Sequence, residues 1–174
     1  YNMARTLWRV PKWNFVATAI SAALIWFSLT IFAGLSIAAA KCVYEATEGL
    51  ATAEGVKQVV GGLRIVAGIV SKFEAISAMH AHAHLGVVGF FVLLIVGVSY
   101  RLIPMFTLTE VQGKRRAALS ILLLNIGLAG SVVTILLRSP LKIAFVVIAV
   151  SGLVLFGWEL RVMLRTRKRL VLDW

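Results

Sequence analysis

The sequence has few of the residues on which most soluble enzymes depend. Its 174 residues include one cysteine, three prolines and seven acidic residues. The single Cys42 excludes an internal disulfide and a multi-cysteine metal site. No nucleophile with a base, carboxylate pair, phosphate-binding loop or nucleotide fingerprint is recognisable, so we expect no catalysis by this chain alone. No proline- or serine-rich linker divides residues 1–174, which are predicted to form a single domain. Since the chain begins at Tyr1 rather than methionine, we expect residues to precede it.

Apolar residues, by contrast, are abundant. The chain is 60% hydrophobic and 14% charged, with a mean hydropathy of +0.94, which is typical of a multi-pass membrane protein. About 20 apolar residues are needed to cross the hydrocarbon core. Four runs are long enough, and the predicted spans are 15–39, 75–103, 117–137 and 143–163. Because no period-two alternation is present, we expect an all-α integral membrane protein with a four-transmembrane-helix bundle.

The basic residues predict the topology of these helices. The net charge is +11, but no soluble stretch is long enough to recognise nucleic acid, and we expect no nucleic-acid partner. Basic residues gather at three places: Arg5, Arg9 and Lys12; Arg101, Lys114, Arg115 and Arg116; and Arg161, Arg165, Arg167, Lys168 and Arg169. By the positive-inside rule these places and both termini are cytoplasmic, and the charge-balanced connection 41–74 lies outside. We expect a location in a bacterial inner membrane, in contact with its lipids.

All three histidines lie at the start of the second predicted span. They are His80, His82 and His84. Imidazoles that enter a bilayer are costly unless something binds them, so this stretch is the main candidate for a functional site. At about 100° per residue of an α-helix, His80 and His84 share a face, and His82 points nearly opposite. The predicted topology places the three at the outer end of the helix.

The two faces predict different cofactors. His80 and His84 have the spacing of a two-histidine copper or zinc site, but nothing nearby supplies a third ligand. His82 heads a face that contains Gly86 and Gly89, and small residues there leave room for a flat macrocycle. That face therefore predicts a haem with His82 as its axial ligand. Close packing of helices is the alternative use of the glycines.

Residues 82–106 also resemble a known family. The stretch His82-Ala83-His84-Leu85, the pair Phe90-Phe91 and the exit Ser99-Tyr100-Arg101-Leu102-Ile103-Pro104-Met105-Phe106 resemble helix II of haem-copper oxidase subunit I. The cbb3-type and nitric-oxide-reductase branch is the most similar, together with small oxidase-subunit-I-like or nitric-oxide-response-like membrane haem proteins. A histidine near the outer end of that helix is an axial ligand of the low-spin haem. The resemblance implies haem b, with His82 as the first choice of iron ligand, His84 as the second and His80 as the last.

The chain lacks the later helices of that family, which carry a further haem ligand and the copper-binding histidines. The second haem ligand is therefore expected from other membrane subunits, from a second copy or from a missing segment, and a five-coordinate haem is the alternative. The resemblance implies an electron-transfer or haem-sensing subunit of a larger respiratory assembly, exchanging electrons with a quinol or a partner protein. The alternatives are a structural accessory subunit of a redox or photosynthetic complex, with no cofactor or a chlorophyll-type pigment, and a copper-binding membrane protein.

Three polar features within or between the spans carry further expectations. Asn125 is predicted to form a hydrogen bond across helices. Glu159 is predicted to form an ion pair with the nearby Arg161 or Arg165, and a proton relay is the alternative. The apolar set between Val56 and Val70 is predicted to form a surface helix or a lid over a cofactor.

Overall fold

Four long apolar helices make up the fold. The computed structural model describes residues 14–47, 65 and 67–167, and every regular element in this part is a helix. We label the four helices α1, α2, α3 and α4, and they run over Phe15–Thr47, Ala75–Thr107, Lys114–Leu136 and Lys142–Arg165. All four are long and apolar enough to cross a membrane. The prediction of an all-α, multi-pass membrane protein with four spanning helices is confirmed.

The first helix is longer than its predicted span. It ends at Thr47 instead of residue 39, because the backbone hydrogen bonds of a helix can continue where the apolar side chains stop. At 1.5 Å per residue its 33 residues extend about 50 Å, well beyond about 30 Å of hydrocarbon. Residues 41–47 therefore belong to α1 and not to a loop. Most of the apolar set predicted as a surface helix or lid lies outside the described residues.

The second helix changes its geometry along its length. An α-helical section, Ala75–His84, is followed by a π-helical section, Leu85–Val92, and by a second α-helical section, Leu93–Thr107. The N–H of Leu93 reaches the carbonyl of Val88, five residues earlier, as a π-helix requires. Such segments are rare and often occur at functional sites. The sequence analysis assumed an α-helix throughout and did not predict this section, which begins directly after the last histidine.

Contacts between the helices define two ends of the bundle. The ring of Tyr100 contacts the rings of Phe15 and Phe156, at centroid distances of 5.5 and 5.3 Å. The start of α1 and the last parts of α2 and α4 therefore meet, and we call this the basic end. At the opposite end, the Arg138 Nε lies 3.4 Å from a carboxylate oxygen of Glu74, which joins the α3–α4 turn to the start of α2. We call this the histidine end.

Three alanines and six larger residues form the buried core. Its fully buried members are Ala19, Ala23, Leu93, Val96, Tyr100, Ala117, Ile121, Leu124 and Met163. Alanine and glycine at the contacts let the helix backbones approach closely, as in other membrane proteins. Large apolar side chains on all four helices point outwards, as expected when the surrounding solvent is lipid.

Candidate functional site

The histidine segment lies on the first section of α2, at the histidine end. His80 is exposed, whereas His82 and His84 are half-buried. The carboxylate of Glu74, just before the helix, accepts a hydrogen bond from the Ser77 hydroxyl at 3.1 Å and pairs with Arg138. These contacts tie the start of α2 to the α3–α4 turn. The three imidazoles therefore project from an anchored part of the helix.

The imidazole of His82 packs directly on α1. A Cβ built on Gly34 would lie 3.0 Å from the ring Cε1 and 3.6 Å from both ring nitrogens. A Cβ at this position would be in unusually tight contact, so the ring would have to shift by a few tenths of an ångström to accommodate it. The sequence analysis missed Gly34, although it continues a spacing of three or four residues through Ala23, Trp26 and Thr30. That spacing marks one face of a helix.

One nitrogen of this ring has no hydrogen-bond partner. Among the described residues, Nδ1 of His82 is the only buried side-chain nitrogen or oxygen in this condition. Leaving a buried polar group unpaired costs about 1–3 kcal/mol. Native structures contain few such groups, and each calls for an explanation, such as a ligand or a strained functional position.

The glycine face of α2 is occupied by α1 and α3. A Cβ on Gly86 would lie 3.3 Å from Cγ2 of Thr30. A Cβ on Gly89 would lie 2.7 Å from Cβ of Trp26 and 2.8 Å from a methyl carbon of Leu128. His82 and the two glycines do share a face, as the helical geometry predicts, but that face is a close-packed seam. A macrocycle does not fit on it, because there is no space at Gly89 even for a methyl group.

His84 has a different environment. Its Nδ1 lies 2.8 Å from the carbonyl oxygen of His80. A carbonyl only accepts hydrogen bonds, so Nδ1 carries the proton and donates it. In the neutral ring Nε2 then keeps a lone pair, which is the state a metal or haem ligand needs. Metal-binding histidines almost always have their other nitrogen fixed in this way. The contact also shows that His80 and His84 share a face, as predicted.

The histidine segment does not complete a metal site within the described part of the chain. No group of three or more histidine, cysteine, aspartate or glutamate side chains comes together there. A tetrahedral zinc or copper site would need ligands beyond the described residues or from another molecule. The donor atoms of His84 and His82 suit an axial haem ligand, whereas the glycine face does not suit the macrocycle.

Two other polar side chains predicted from the sequence have clear partners. The indole N–H of Trp26 donates to Oδ1 of Asn125 at 2.8 Å, and Nδ2 of Asn125 donates to the carbonyl of Ile121. The prediction of a bond across helices at Asn125 is confirmed. This link joins α1 to α3 beside Gly89, so it holds the seam closed below the histidines.

Glu159 is paired, but with a different residue from the one predicted. Its fully buried carboxylate accepts hydrogen bonds from Nε of Arg116 at 2.9 Å and from the Gly113 N–H at 2.6 Å. The second guanidinium nitrogen of Arg116 lies 2.8 Å away. The predicted pairing with Arg161 or Arg165 is wrong, because Glu159 faces the α2–α3 connection. Sequence distance alone favoured the neighbours on its own helix.

The comparisons with known proteins add no constraint on the site. No protein-family model, curated protein or solved structure matches this chain. The resemblance to helix II of the haem-copper oxidases therefore stays a prediction. The functional assignment depends on the geometry of the histidine segment.

Proposed function

We propose that this chain is a haem-binding membrane subunit that acts in electron transfer or haem sensing within a larger assembly. The observation that carries the proposal is the hydrogen bond from His84 to the His80 carbonyl. It fixes the orientation of the imidazole and leaves Nε2 as the nitrogen that a neutral ring offers to a ligand site. An apolar chain that places such a ring at the end of a spanning helix has the elements of a b-type haem site.

The geometry favours His84 over His82 as the axial ligand. The edge of the His82 ring that carries Cε1 faces Gly34, and both ring nitrogens lie 3.6 Å from a Cβ built there, so α1 crowds the approach of iron to this ring. His84 lies on the other side of the helix, away from the glycine seam. The macrocycle would then lie against the outside of the bundle and not between α1 and α2.

A haem on the outside of the bundle would need a second protein surface to cover its other face. The described residues offer no further histidine, so a second axial ligand would come from another subunit or a second copy. The exposed apolar side chains of α2, among them Met79, Val87 and Phe91, suit both lipid and such a partner. This arrangement supports the interpretation that the chain acts in a respiratory assembly rather than alone.

The residues of this chain would hold and orient the cofactor. A bound haem supplies one-electron chemistry, exchanged with a quinol or a partner protein. The His80 carbonyl fixes the rotation of the His84 ring through its hydrogen bond. The orientation and hydrogen bonding of an axial histidine influence the reduction potential of a haem. The distribution of basic residues supports cytoplasmic termini and a histidine end on the outer side.

An optical redox spectrum of the intact, gently extracted assembly tests this proposal. We expect a Soret band and a sharp α-band after reduction, both lost in His84→Ala and kept in His80→Ala. His82→Ala should keep the bands as well. Loss in His82→Ala with retention in His84→Ala would return the ligand to His82. A colourless assembly without iron would reject the haem function.

A structural accessory subunit is the second candidate, and the filled glycine face favours it. The close contact of α1 with Gly86 and Gly89 explains these residues without any cofactor. Metal analysis of the same preparation separates the remaining cases. Magnesium with red absorbance indicates a chlorophyll-type pigment, copper indicates a site on His80 and His84, and no metal indicates a structural subunit.

A further inference from the structure

A cleft at the basic end has the features of a binding site that the haem proposal does not use. Its volume is about 550 Å³. Pockets for small ligands usually measure about 300–1,000 Å³. It lies where the start of α1 meets the end of α2 and the α2–α3 connection. Its walls include Phe15, Tyr100, Arg101, Pro104, Glu110 and Lys114.

The walls of the cleft combine two chemical surfaces. Phe15, Tyr100 and Pro104 form an apolar side that continues from the membrane-spanning parts of α1 and α2. Arg101 and Lys114 form a cationic side near the end of the helices. An amphiphile with acyl chains and an anionic head group matches both surfaces, whereas a free anion matches only the second.

The two cations of the cleft are available to a ligand. Within the part of the chain that the structure describes, neither Arg101 nor Lys114 forms an ion pair, and neither is paired with Glu110 of the same cleft. Arg116, which follows closely in sequence, is instead taken up by the buried Glu159. With Glu110 counted, the cleft keeps a net positive charge of one.

We infer that this cleft binds the phosphate head group of an anionic phospholipid, with the acyl chains along its apolar side. Basic pockets between membrane helices are known to recognise such head groups. The inference is independent of the haem proposal. It assigns Arg101 and Lys114 a binding role beyond that of topology signals.

Native mass spectrometry of the full chain in detergent tests this inference. The probes are phosphatidylglycerol and phosphatidylcholine, which share a phosphate and differ in net charge. We expect phosphatidylglycerol to be retained more strongly. Arg101→Gln and Lys114→Gln should each weaken its binding about fivefold, since a basic residue near an anionic lipid contributes about that factor. Glu110→Gln should strengthen it.

Arg115→Gln is the matched control, because Arg115 carries the same charge next to Lys114 but does not line the cleft. We expect its lipid binding to stay within twofold of the unsubstituted chain. The conservative variants Arg101→Lys and Lys114→Arg, with helix content measured by circular dichroism, control for misfolding and should bind normally. An equal loss in Arg115→Gln, or no loss in the double glutamine variant, would overturn the site. Displacement of the lipid by equimolar inorganic phosphate would overturn the assignment to a phospholipid.

Discussion

The two ends of the bundle differ in whether their buried polar groups have hydrogen-bond partners. At the basic end the Glu159 carboxylate receives three nitrogen contacts, and the hydroxyls of Tyr100 and Ser120 lie 3.0 Å apart. At the histidine end a ring nitrogen of His82 is buried without a partner. Fully paired groups stabilise a structure, whereas a buried polar group without a partner lowers its stability. The comparison therefore places a stabilising polar network at the basic end and a destabilising unpaired nitrogen at the histidine end.

The largest effect is expected from breaking the ion pair between the buried Glu159 carboxylate and the partly exposed Arg116 guanidinium. Arg116→Ala leaves the Glu159 charge buried with only the Gly113 N–H, and we expect a loss of about 3 kcal/mol in unfolding free energy. Denaturation of the detergent-solubilised chain measures it. Arg115→Ala, on an exposed neighbour, is the control and should change stability little. The double variant Arg116→Leu/Glu159→Leu should recover part of the loss, because it removes both charges. If Arg116→Ala is as stable as the unsubstituted chain, the pairing of Arg116 with Glu159 does not stabilise the fold.

The next largest loss of stability is expected where α1 and α3 pack against Gly86 and Gly89 of α2, below the histidines. Gly89→Ala places a methyl group 2.7 Å from Cβ of Trp26, so α1 and α2 must separate. We expect a destabilisation of about 2 kcal/mol, within the usual cost of overpacking. Gly157→Ala is the matched control, because nothing lies within 4 Å of the added methyl group. An equal response of the two variants would show that the seam is not closely packed.

A smaller effect, of opposite sign, is expected at the unpaired imidazole. His82→Leu removes a buried nitrogen without a partner and keeps an apolar group of similar size. We expect the unfolding free energy to rise by about 1 kcal/mol when no ligand is bound. His84→Leu should not show this gain, because it breaks the hydrogen bond to the His80 carbonyl. If His82→Leu lowers the stability of the cofactor-free chain, the unpaired nitrogen of His82 does not destabilise the histidine end.

The smallest effect is expected at the link between α1 and α3. Trp26→Phe keeps the ring against Gly89 but removes the N–H that donates to Asn125. Hydrogen bonds between membrane helices contribute about 0.6 kcal/mol on average, so we expect a loss of that size. Asn125→Leu should cost a similar amount, and the two losses should not add in the double variant. Additive losses would show that the pair does not act as one link.

The sequence was sufficient to predict the helices but not their contacts. The ends of α2, α3 and α4 lie within four residues of the predicted spans, because the length of an apolar run reports the thickness of the membrane. The opposite faces of His82 and His84 also followed from helical geometry. The partner of Glu159 was not predictable in this way, since Arg116 lies 43 residues away and only the packing of α4 against the α2–α3 connection joins them.

The candidate site, too, was predictable from the sequence only in part. The histidines were recognisable because three imidazoles at a membrane boundary are rare and costly. The proposed choice among them depended on features that no pattern in α2 contains, namely the contact of His82 with Gly34 and the hydrogen bond from Nδ1 of His84 to the His80 carbonyl. The π-helical section Leu85–Val92 escaped prediction because its two glycines are equally compatible with an α-helix in a membrane.

Composition alone determined that this protein folds in lipid, since backbone groups in an apolar solvent must pair within each helix. The order of the residues also determined where the imidazoles lie along the second helix. Only the tertiary structure decided whether the glycines beside His82 form a cavity or a contact, because that depends on which helix approaches them. The approach of α1 closed the glycine face and left one ring nitrogen of His82 without a partner, whereas the His84 imidazole lies away from that contact.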